Sequence, residues 1–495
     1  MDVIKVKKIN HAKLYLEVEG GTAQELSEYF SFFVPGYKWM PPFRNGIWDG
    51  KIRLFTNTRN LPVGLYDSLI YFCESRDYKL ELIESEYGLP NDKDELDINF
   101  LKDFIDKLEL KAGGNPIQCR DYQFNAICEA LVNKRNILLS PTGSGKSLII
   151  YIIARYLLTK VKKKILIIVP TTSLVQQMYS DFEDYGLDSE KAIHRIYSGK
   201  EKNTNQPIVV STWQSIYKLP KKWFDQFSVI FGDEVHGFKS KSLVMIMDKA
   251  SEVPYRFGTT GTLDGKLVHE LTLQGSFGPV YKVTTTQKLQ QANTLAQLNI
   301  SIISLLYPEE IRELSKKLTY QQELDYVVTH AGRNKFISNV ALDQKGNTLL
   351  LFQFVEKHGK KLFELIEEGA DKKRKVYFIS GATESTDREA IRKIVEKEKN
   401  AIICASFGVF STGINIKNLH NIVFASPSKS PIRVLQSIGR GLRKSDNNKD
   451  TQLLDMRDDL HWRKHKNYLL GHSDERIKLY EKENFKYKIY NINIT

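Results

Sequence analysis

The chain has 495 residues, which is more than one hydrophobic core usually organises, so we expect about three domains. With 41% hydrophobic and 26% charged residues, its composition excludes a largely disordered chain. The net charge is +13, although residues 1–110 carry 14 Lys and Arg against 19 Asp and Glu. The positive surplus therefore lies beyond residue 110, where it favours a polyanionic partner such as nucleic acid.

The cysteines and the apolar segments indicate an intracellular protein. Cys73, Cys119, Cys128 and Cys404 form no CxxC pair and have no His at zinc spacing, so we expect reduced thiols. The N-terminus lacks an apolar stretch, which argues against a signal peptide. The longest apolar segment, 148–158, is far shorter than the ~18 residues of a membrane span. We expect no membrane partner and a cytoplasmic location.

The first 110 residues predict a small N-terminal α+β domain. Alternating apolar residues near the N-terminus are typical of strands, and a helical pattern runs to Leu110. Residues 111–116 are rich in turn formers, which places the first boundary there and the domain at 1–110. The alternating residues are Val3, Ile4, Val6, Leu14, Leu16 and Val18.

Residues 38–59 form a cationic and aromatic window inside this acidic region. Cations next to flat rings suit the binding of a nucleic-acid strand or junction. The alternative is that the rings form the core of the domain and the cations point to solvent. The sequence favours neither. The window contains Lys38, Trp39, Phe43, Arg44, Trp48, Lys51, Arg53, Phe55 and Arg59, with Asp49 as its one acid.

A glycine-rich loop follows the predicted strand Ile137–Leu139 and precedes an apolar helix. This context is that of a Walker A loop, in which backbone N–H groups cradle phosphates, Lys146 reaches them and the Ser147 hydroxyl holds Mg²⁺. Ser140 stands where the general pattern has Gly. The alternative is a Gly-Ser turn entering a helix. The nucleotide-binding residues predicted here are Thr142, Gly143, Ser144, Gly145, Lys146 and Ser147.

Two acids follow the next strongly apolar strand, Val229–Phe231. Asp233 lies where a strand leaves the sheet, the position at which α/β folds bind ligands, and it can support Mg²⁺. Glu234 can orient or deprotonate the attacking water, and His236 can link the nucleotide to the rest of the lobe. An Asp-Glu pair that follows a strand, taken alone, most often belongs to an ordinary solvent-exposed loop. The Walker loop about 90 residues upstream reverses that expectation.

Apolar strands alternate with helices twice, over residues 111–292 and 293–495. This pattern predicts two α/β lobes with parallel sheets, connected near residues 293–305. The tail, 461–495, reads as a helix with a closing strand. The remaining predicted strands are Ile165–Val169, Ile208–Val210, Leu349–Phe352, Val376–Ile379, Ile402–Ala405 and Ile422–Ala425.

The order of short motifs along the chain resembles that of the DExH-box superfamily 2 helicases. The arrangement of all three blocks is most similar to the UvsW-type recombination helicases of T-even-like phages, with RecG and XPB-like helicases more distant. The motifs are FRNGIWDGKIR (43–53), SPTGSGKS (140–147), DEVH (233–236), TTGT (259–262), FSTGINIKN (410–418) and QSIGRGLR (436–443).

The resemblance implies two tandem RecA-like lobes and a role for each matching position. Arg120, Gln123, Gly413 and Gln436 would bind ATP, and Arg440 and Arg443 would reach the γ-phosphate from the second lobe. His236, Thr260, Gly261 and Thr262 would couple hydrolysis to movement. The segments that would grip nucleic acid are Pro170, Thr171 and Thr172, then Ser211, Thr212 and Trp213, then Ser411 and Thr412.

These implications predict an ATP-dependent DNA helicase or translocase that uses Mg²⁺. It would unwind or branch-migrate forks, junctions, D-loops or R-loops in recombination, repair and replication. Its partners would be branched, single-stranded or duplex DNA, RNA in R-loops, and recombination or single-strand-binding proteins, and the chain would be a monomer in the host cytoplasm. Two alternatives stay open: an RNA helicase or non-unwinding duplex translocase, and an ATP-gated annealing or binding protein.

Overall fold

The computed structural model of the protein describes residues 3–238, 240–263, 267–413, 416, 418–427, 430, 434, 438–439 and 450–494. The chain forms two compact units, Met1–Ser140 with Gly145–Thr284, and Pro141–Ser144 with Thr285–Thr495. Each unit contains one seven-stranded sheet, and the first also contains a four-stranded sheet. This confirms the predicted fold class of two parallel-sheet RecA-like lobes and a small N-terminal α+β region.

The N-terminal region is built on the sheet β5-β2-β1-β6, in which β1 runs antiparallel to β2 and parallel to β6. Its apolar alternation has the predicted effect, since Ile4, Val6, Leu14 and Leu16 are fully buried. The elements are β1 Val3–Lys8, β2 Lys13–Glu17, α1 Gly20–Tyr29, β3 Ser31–Phe33, α2 Pro41–Arg44, β4 Lys51–Arg53, β5 Asn60–Pro62, α3 Tyr66–Ser75, β6 Lys79–Ile83, α4 Ile98–Asp106, β7 Lys111–Ala112 and β8 Asn115–Pro116.

The sheet of the first lobe is parallel throughout, in the order β11-β12-β10-β13-β14-β9-β15. Its central strands are continuous apolar runs because helices cover both faces. The elements are α5 Asp121–Asn133, β9 Arg135–Leu139, α6 Lys146–Leu157, β10 Lys164–Val169, α7 Thr172–Asp184, α8 Ser189–Ala192, β11 Ile193–Ile196, β12 Ile208–Thr212, α9 Trp213–Ile216, α10 Lys221–Phe224, β13 Phe227–Asp233, α11 Ser240–Lys249, β14 Tyr255–Thr260, α12 Leu267–Phe277 and β15 Val280–Lys282.

The N-terminal region packs closely against the first lobe. Gly64 lies so near α12 that a β-carbon on it would be 1.9 Å from the carbonyl oxygen of Gln274. Hydrogen bonds reinforce the contact, since the backbone N–H of His11 donates to the carbonyl of Ser251 and Tyr87 donates to Glu252. The two parts therefore form one unit.

We expect Gly64→Ala to destabilise this unit by about 1–3 kcal/mol, because the added methyl overlaps backbone that cannot move alone. Urea denaturation of the full chain, followed by circular dichroism, measures the loss. Gly21→Ala is the matched control: nothing lies within 4 Å of its β-carbon and it sits in α1. An unchanged urea midpoint for Gly64→Ala would contradict the close approach.

The second lobe repeats the architecture with the order β18-β19-β17-β20-β21-β16-β22, parallel throughout. Most of the predicted connection at 293–305 instead belongs to a strand, Leu298–Leu306, which lies between β21 and β22. The elements are α13 Thr286–Gln291, β16 Leu298–Leu306, α14 Glu309–Ser315, α15 Tyr320–Thr329, α16 Ala331–Asp343, β17 Thr348–Phe352, α17 Lys360–Gly369, β18 Val376–Ile379, α18 Ser385–Lys397, β19 Ile402–Ser406, α19 Phe407–Gly413, β20 Asn421–Phe424, β21 Thr451–Asp459, α20 Tyr468–Lys482 and β22 Tyr487–Asn493.

A buried ion pair connects β21 of this sheet to α16. Arg333 donates from Nε to Asp458 Oδ1 at 2.6 Å and from its NH2 nitrogen to Oδ2 at 2.9 Å, and both side chains are fully buried. Tyr307 also donates to Asp458, at 3.0 Å. Such a bidentate pair compensates two charges that would be costly to bury singly.

All four cysteines are free thiols, with Cys73 and Cys404 buried and Cys119 and Cys128 half-buried. Across the part of the chain that the structure describes, no helix combines the length and apolar character needed to cross a membrane.

Candidate nucleotide and nucleic-acid site

The loop 140–147 connects the carboxyl end of β9 to the N-terminus of α6. Gly143 and Gly145 have φ values of +85° and +82°, a left-handed conformation that glycine adopts without strain. Ser144 Oγ donates to the carbonyl of Pro141 at 2.7 Å and closes the turn. The loop therefore ends at the N-terminus of a twelve-residue helix, a position suited to phosphate.

Gln123 lies directly against this loop. A β-carbon on Gly145 would be 2.3 Å from Gln123 Nε2, so the buried amide fills the space that a side chain would need. Gln123 Oε1 accepts from the backbone N–H of Arg120 at 2.9 Å, which caps α5. The Arg120 guanidinium donates to the hydroxyl of Tyr122. The structure thus brings Gln123 to the loop, and Arg120 contacts Gln123 through its backbone N–H.

Asp233 ends β13, and Thr259 lies beside it on β14. Thr259 Oγ1 donates to Asp233 Oδ1 at 2.6 Å. Burial raises the pKa of Asp233 to about 6, and the nearby carboxylate of Glu234 contributes to the increase. The charge of Lys146 and the hydrogen bond from Thr259 lower the pKa, but by less. A nearby divalent cation would offset the cost of this buried carboxylate.

Glu234 connects the loop to the coupling residues. Its backbone has φ +49°, which is uncommon for a residue other than glycine and tends to occur at functional sites. Its Oε1 lies 3.4 Å from Lys146 Nζ and its Oε2 lies 3.4 Å from His236 Nδ1. His236 Nδ1 is in turn 2.8 Å from Thr260 Oγ1, which donates to the carbonyl of Thr262. These side chains form one continuous series of contacts.

Ser147 contacts a residue that the sequence did not indicate. Its Oγ lies 2.8 Å from the hydroxyl of Tyr185, which follows α7. Thr259, the partner of Asp233, was also missed as a site residue although it begins the TTGT motif. The position of Thr259 in that motif was a usable signal, whereas no motif contains Tyr185.

The residues at this edge of the sheet fit a magnesium nucleotide. A glycine loop at a helix N-terminus suits phosphates, and the oxygens of Ser147 and Asp233 are ligands of the kind that Mg²⁺ prefers. Within the described residues no group of three or more His, Cys, Asp or Glu side chains forms a metal cage. Mg²⁺ usually takes only one or two protein groups and completes its shell with phosphates and water.

The segments 170–172 and 211–213 come together at the carboxyl ends of β10 and β12, which are adjacent strands. Gln214 Nε2 donates to the carbonyl of Pro170 at 3.2 Å. Thr171 caps α7 and is half-buried, and Thr172 is exposed. Ser211, Thr212 and Trp213 are buried at the end of β12, so Thr171 and Thr172 are the more accessible residues of this edge.

The cationic window contains some residues that are buried or ion-paired and others that are exposed to solvent. Phe55 is buried in the domain core, and Trp48 is half-buried and donates from Nε1 to the carbonyl of Lys51. Lys51 and Arg53 pair with Glu28, and Arg53 also pairs with Asp49. Lys38, Trp39 and Arg44 are exposed, with 83% of Trp39 accessible.

The predicted residues of the second lobe are less fully described. Ser411, Thr412 and Gly413 form the last turn of α19, and their side chains are not among those described. Gln436, Arg440 and Arg443 lie outside the described residues.

Comparisons with known proteins give the same assignment along the whole chain. Residues 3–83 match the family described as "DNA helicase UvsW, N-terminal", residues 116–265 "Type III restriction enzyme, res subunit", and residues 332–445 "Helicase conserved C-terminal domain". The chain is 39% identical to the ATP-dependent DNA helicase uvsW of Enterobacteria phage T4, over 99% of this chain and 100% of the phage protein.

Three further similarities concern a second relative and two solved structures. The chain is 27% identical to the DNA 3'-5' translocase XPB2 of Sulfurisphaera tokodaii, over 71% of this chain and 84% of that protein. The crystal structure of T4 UvsW superposes with a TM-score of 0.54 at 38% identity, covering 100% of both chains. The restriction-modification enzyme LlaBIII bound to DNA shares the fold, with a TM-score of 0.56 at 16% identity over 77% of this chain and 32% of its own.

Identity at this level over nearly the full length, together with the matching N-terminal region and both lobes, settles the family. The chain belongs to the UvsW family of superfamily 2 DNA helicases.

Proposed function

We propose that this chain is an ATP-dependent helicase or translocase that remodels branched DNA in recombination, repair and replication. One observation carries the proposal. The continuous contacts from Lys146 through Glu234 and His236 to Thr260 connect a phosphate-binding loop to the end of a neighbouring strand. A nucleotide at the loop would change the surroundings of Glu234. The contacts through His236 could transmit that change to Thr260 at the end of β14.

Each residue of the site has a defined part in the proposed hydrolysis. Lys146 neutralises phosphate charge, and Glu234 orients the attacking water and accepts its proton. Gln123 and Arg120 bind the adenine, on the family pattern. Ser147 and Asp233 would hold Mg²⁺, which would supply charge neutralisation at the phosphates.

The proposal assigns three parts to the chain: a DNA-binding region at 1–110, an ATP-binding lobe from residue 111, and a second lobe. The two units divide between Thr284 and Thr285, so we place the boundary of the lobes there and not at the expected residue 292. Gly413, Gln436, Arg440 and Arg443 complete the nucleotide site from the second lobe, as the family motifs indicate. An arginine that contacts the γ-phosphate from another lobe makes hydrolysis depend on closure. We propose that the chain acts as a monomer in the host cytoplasm with recombination and single-strand-binding proteins.

Nucleic-acid binding is proposed at two surfaces. The first consists of the loop 170–172 together with the adjacent segment 211–213, and the family pattern assigns Ser411 and Thr412 of the second lobe to the same role. Hydroxyls and N–H groups can hold a sugar-phosphate backbone without reading its sequence. The second is the exposed part of the N-terminal window around Trp39. The window also contains the exposed cations Lys38 and Arg44, which suit phosphate beside a stacked base.

Hydrolysis measured with different nucleic acids tests the proposal. We expect a forked DNA or a four-way junction to stimulate ATP hydrolysis more than RNA, and ATP to drive separation of a labelled strand. Strongest stimulation by RNA would instead indicate an RNA helicase. Stimulation by duplex without strand separation would indicate a translocase, and strand annealing without turnover a binding protein.

We expect Trp39→Ala to weaken fork binding by about 1–3 kcal/mol, the usual contribution of one aromatic stacked on a base. Fluorescence anisotropy with a labelled fork measures the change. The control is Tyr71→Ala, because Tyr71 is another exposed aromatic of the same region, 64% accessible and outside the window. Equal affinities of both variants would exclude Trp39 from the DNA surface.

A further inference from the structure

The hydroxyl of Tyr185 lies 2.8 Å from the Oγ of Ser147. We propose that Tyr185 is a positioning residue of the metal site: it accepts the Ser147 proton and so turns the lone pairs of Ser147 toward bound Mg²⁺. The inference rests on the proposed function, because it requires a magnesium nucleotide at the loop 140–147.

The chemistry of a serine hydroxyl gives the reason. The group has one proton and two lone pairs, and a cation on one lone pair directs the proton away from itself. A proton acceptor on the far side therefore favours the metal-binding orientation, and the phenol oxygen of Tyr185 is at hydrogen-bonding distance for this. Partners that orient a ligand in this way typically change metal affinity by about 10- to 100-fold when they are removed.

The Tyr185 ring is held in place by its surroundings. Its backbone N–H donates to the carbonyl of Asp181 at 3.0 Å, at the end of α7. The ring lies 5.4 Å, centroid to centroid, from that of Tyr151, which is fully buried and packs edge-on against Phe182. A hydroxyl on a fixed ring can orient the Ser147 hydroxyl, whereas a hydroxyl on a mobile ring would adjust to whatever orientation Ser147 adopts.

The same contact could serve packing alone, and the two roles differ in what they affect. A packing role would alter folding stability or nucleotide affinity regardless of metal. A positioning role affects only the dependence on Mg²⁺. Removing the hydroxyl while keeping the ring, as in Tyr185→Phe, separates the two.

The experiment uses the full chain and a fluorescent ADP analogue, titrated in EDTA and then over a range of Mg²⁺ concentrations. We expect Tyr185→Phe to raise the Mg²⁺ concentration at half-saturation by about 10-fold. Affinity in EDTA and the melting temperature should match those of the wild type. Tyr179→Phe is the control, since Tyr179 lies on α7, the helix that Tyr185 follows, with its ring beneath the Arg195 guanidinium.

A double-mutant cycle tests whether the effect of Tyr185 on the Mg²⁺ dependence of nucleotide binding requires Ser147, which a purely structural role would not. If Tyr185 acts through Ser147, then Tyr185→Phe has no further effect on the Mg²⁺ dependence in a Ser147→Ala background. An unchanged Mg²⁺ dependence for Tyr185→Phe, an equal loss of affinity in EDTA, or additive effects in the cycle would each overturn the inference. Failure of the wild type to bind the nucleotide would instead refute the proposed function.

Discussion

The Glu234→Gln variant should bind nucleotide and hydrolyse it on the order of 100- to 10,000-fold more slowly than the wild type, the usual effect of removing a general base. Glutamine has nearly the same shape but cannot accept the proton of the attacking water. The substitution also removes the charge that lies 3.4 Å from Lys146 Nζ. Steady-state hydrolysis with saturating fork DNA, together with binding of a fluorescent nucleotide, measures both effects.

Lys146→Ala should differ from Glu234→Gln by losing nucleotide affinity as well as turnover, because its ammonium group contacts phosphate. Glu190→Gln is the matched control, as Glu190 is an exposed acid of the same lobe in α8. Substantial hydrolysis by purified Lys146→Ala or Glu234→Gln would refute the assignment of the site. Loss of hydrolysis in Glu190→Gln would show that the assay reports general damage.

Asp458→Asn should lower the free energy of unfolding of the second lobe by about 3–5 kcal/mol. The amide keeps the shape of the carboxylate but leaves the Arg333 guanidinium as an uncompensated charge in a fully buried position. Tyr307 would also lose its charged acceptor. Urea denaturation gives the overall loss, and hydrogen exchange of peptides covering β16 and β21 locates it.

The control for this prediction is an exposed ion pair in the same lobe. Lys360 and Glu356 are 2.7 Å apart with more than half of each side chain accessible, so Lys360→Gln should cost about 0–1 kcal/mol. Replacing both buried partners, as Arg333→Met with Asp458→Leu, should recover most of the loss because no charge then remains inside. Equal urea midpoints for Asp458→Asn and Lys360→Gln would show that the buried pair is not a major source of stability.

The sequence by itself determined the two parallel-sheet lobes, because each central strand is a short apolar run that only a sheet covered on both faces can accommodate. Ile165–Val169 and Leu349–Phe352 are such runs and lie near the centres of their sheets. It also identified Lys146, Asp233 and Glu234 as candidates, since loop, strand and acids occur at motif spacing. The strands β11, β14 and β16 were not predicted because polar residues interrupt their apolar runs, as Arg256 does in β14.

Only the tertiary structure decided which side chains meet. The partners of the metal-site candidates, Thr259 and Tyr185, lie 26 and 38 residues away from Asp233 and Ser147, so no local pattern could pair them. The same applies to the cationic window, in which burial assigns Phe55 to the core and leaves Trp39 in solvent. Local periodicity records which face of an element is apolar, whereas contacts between distant segments depend on strand order and on how helices pack across the sheet.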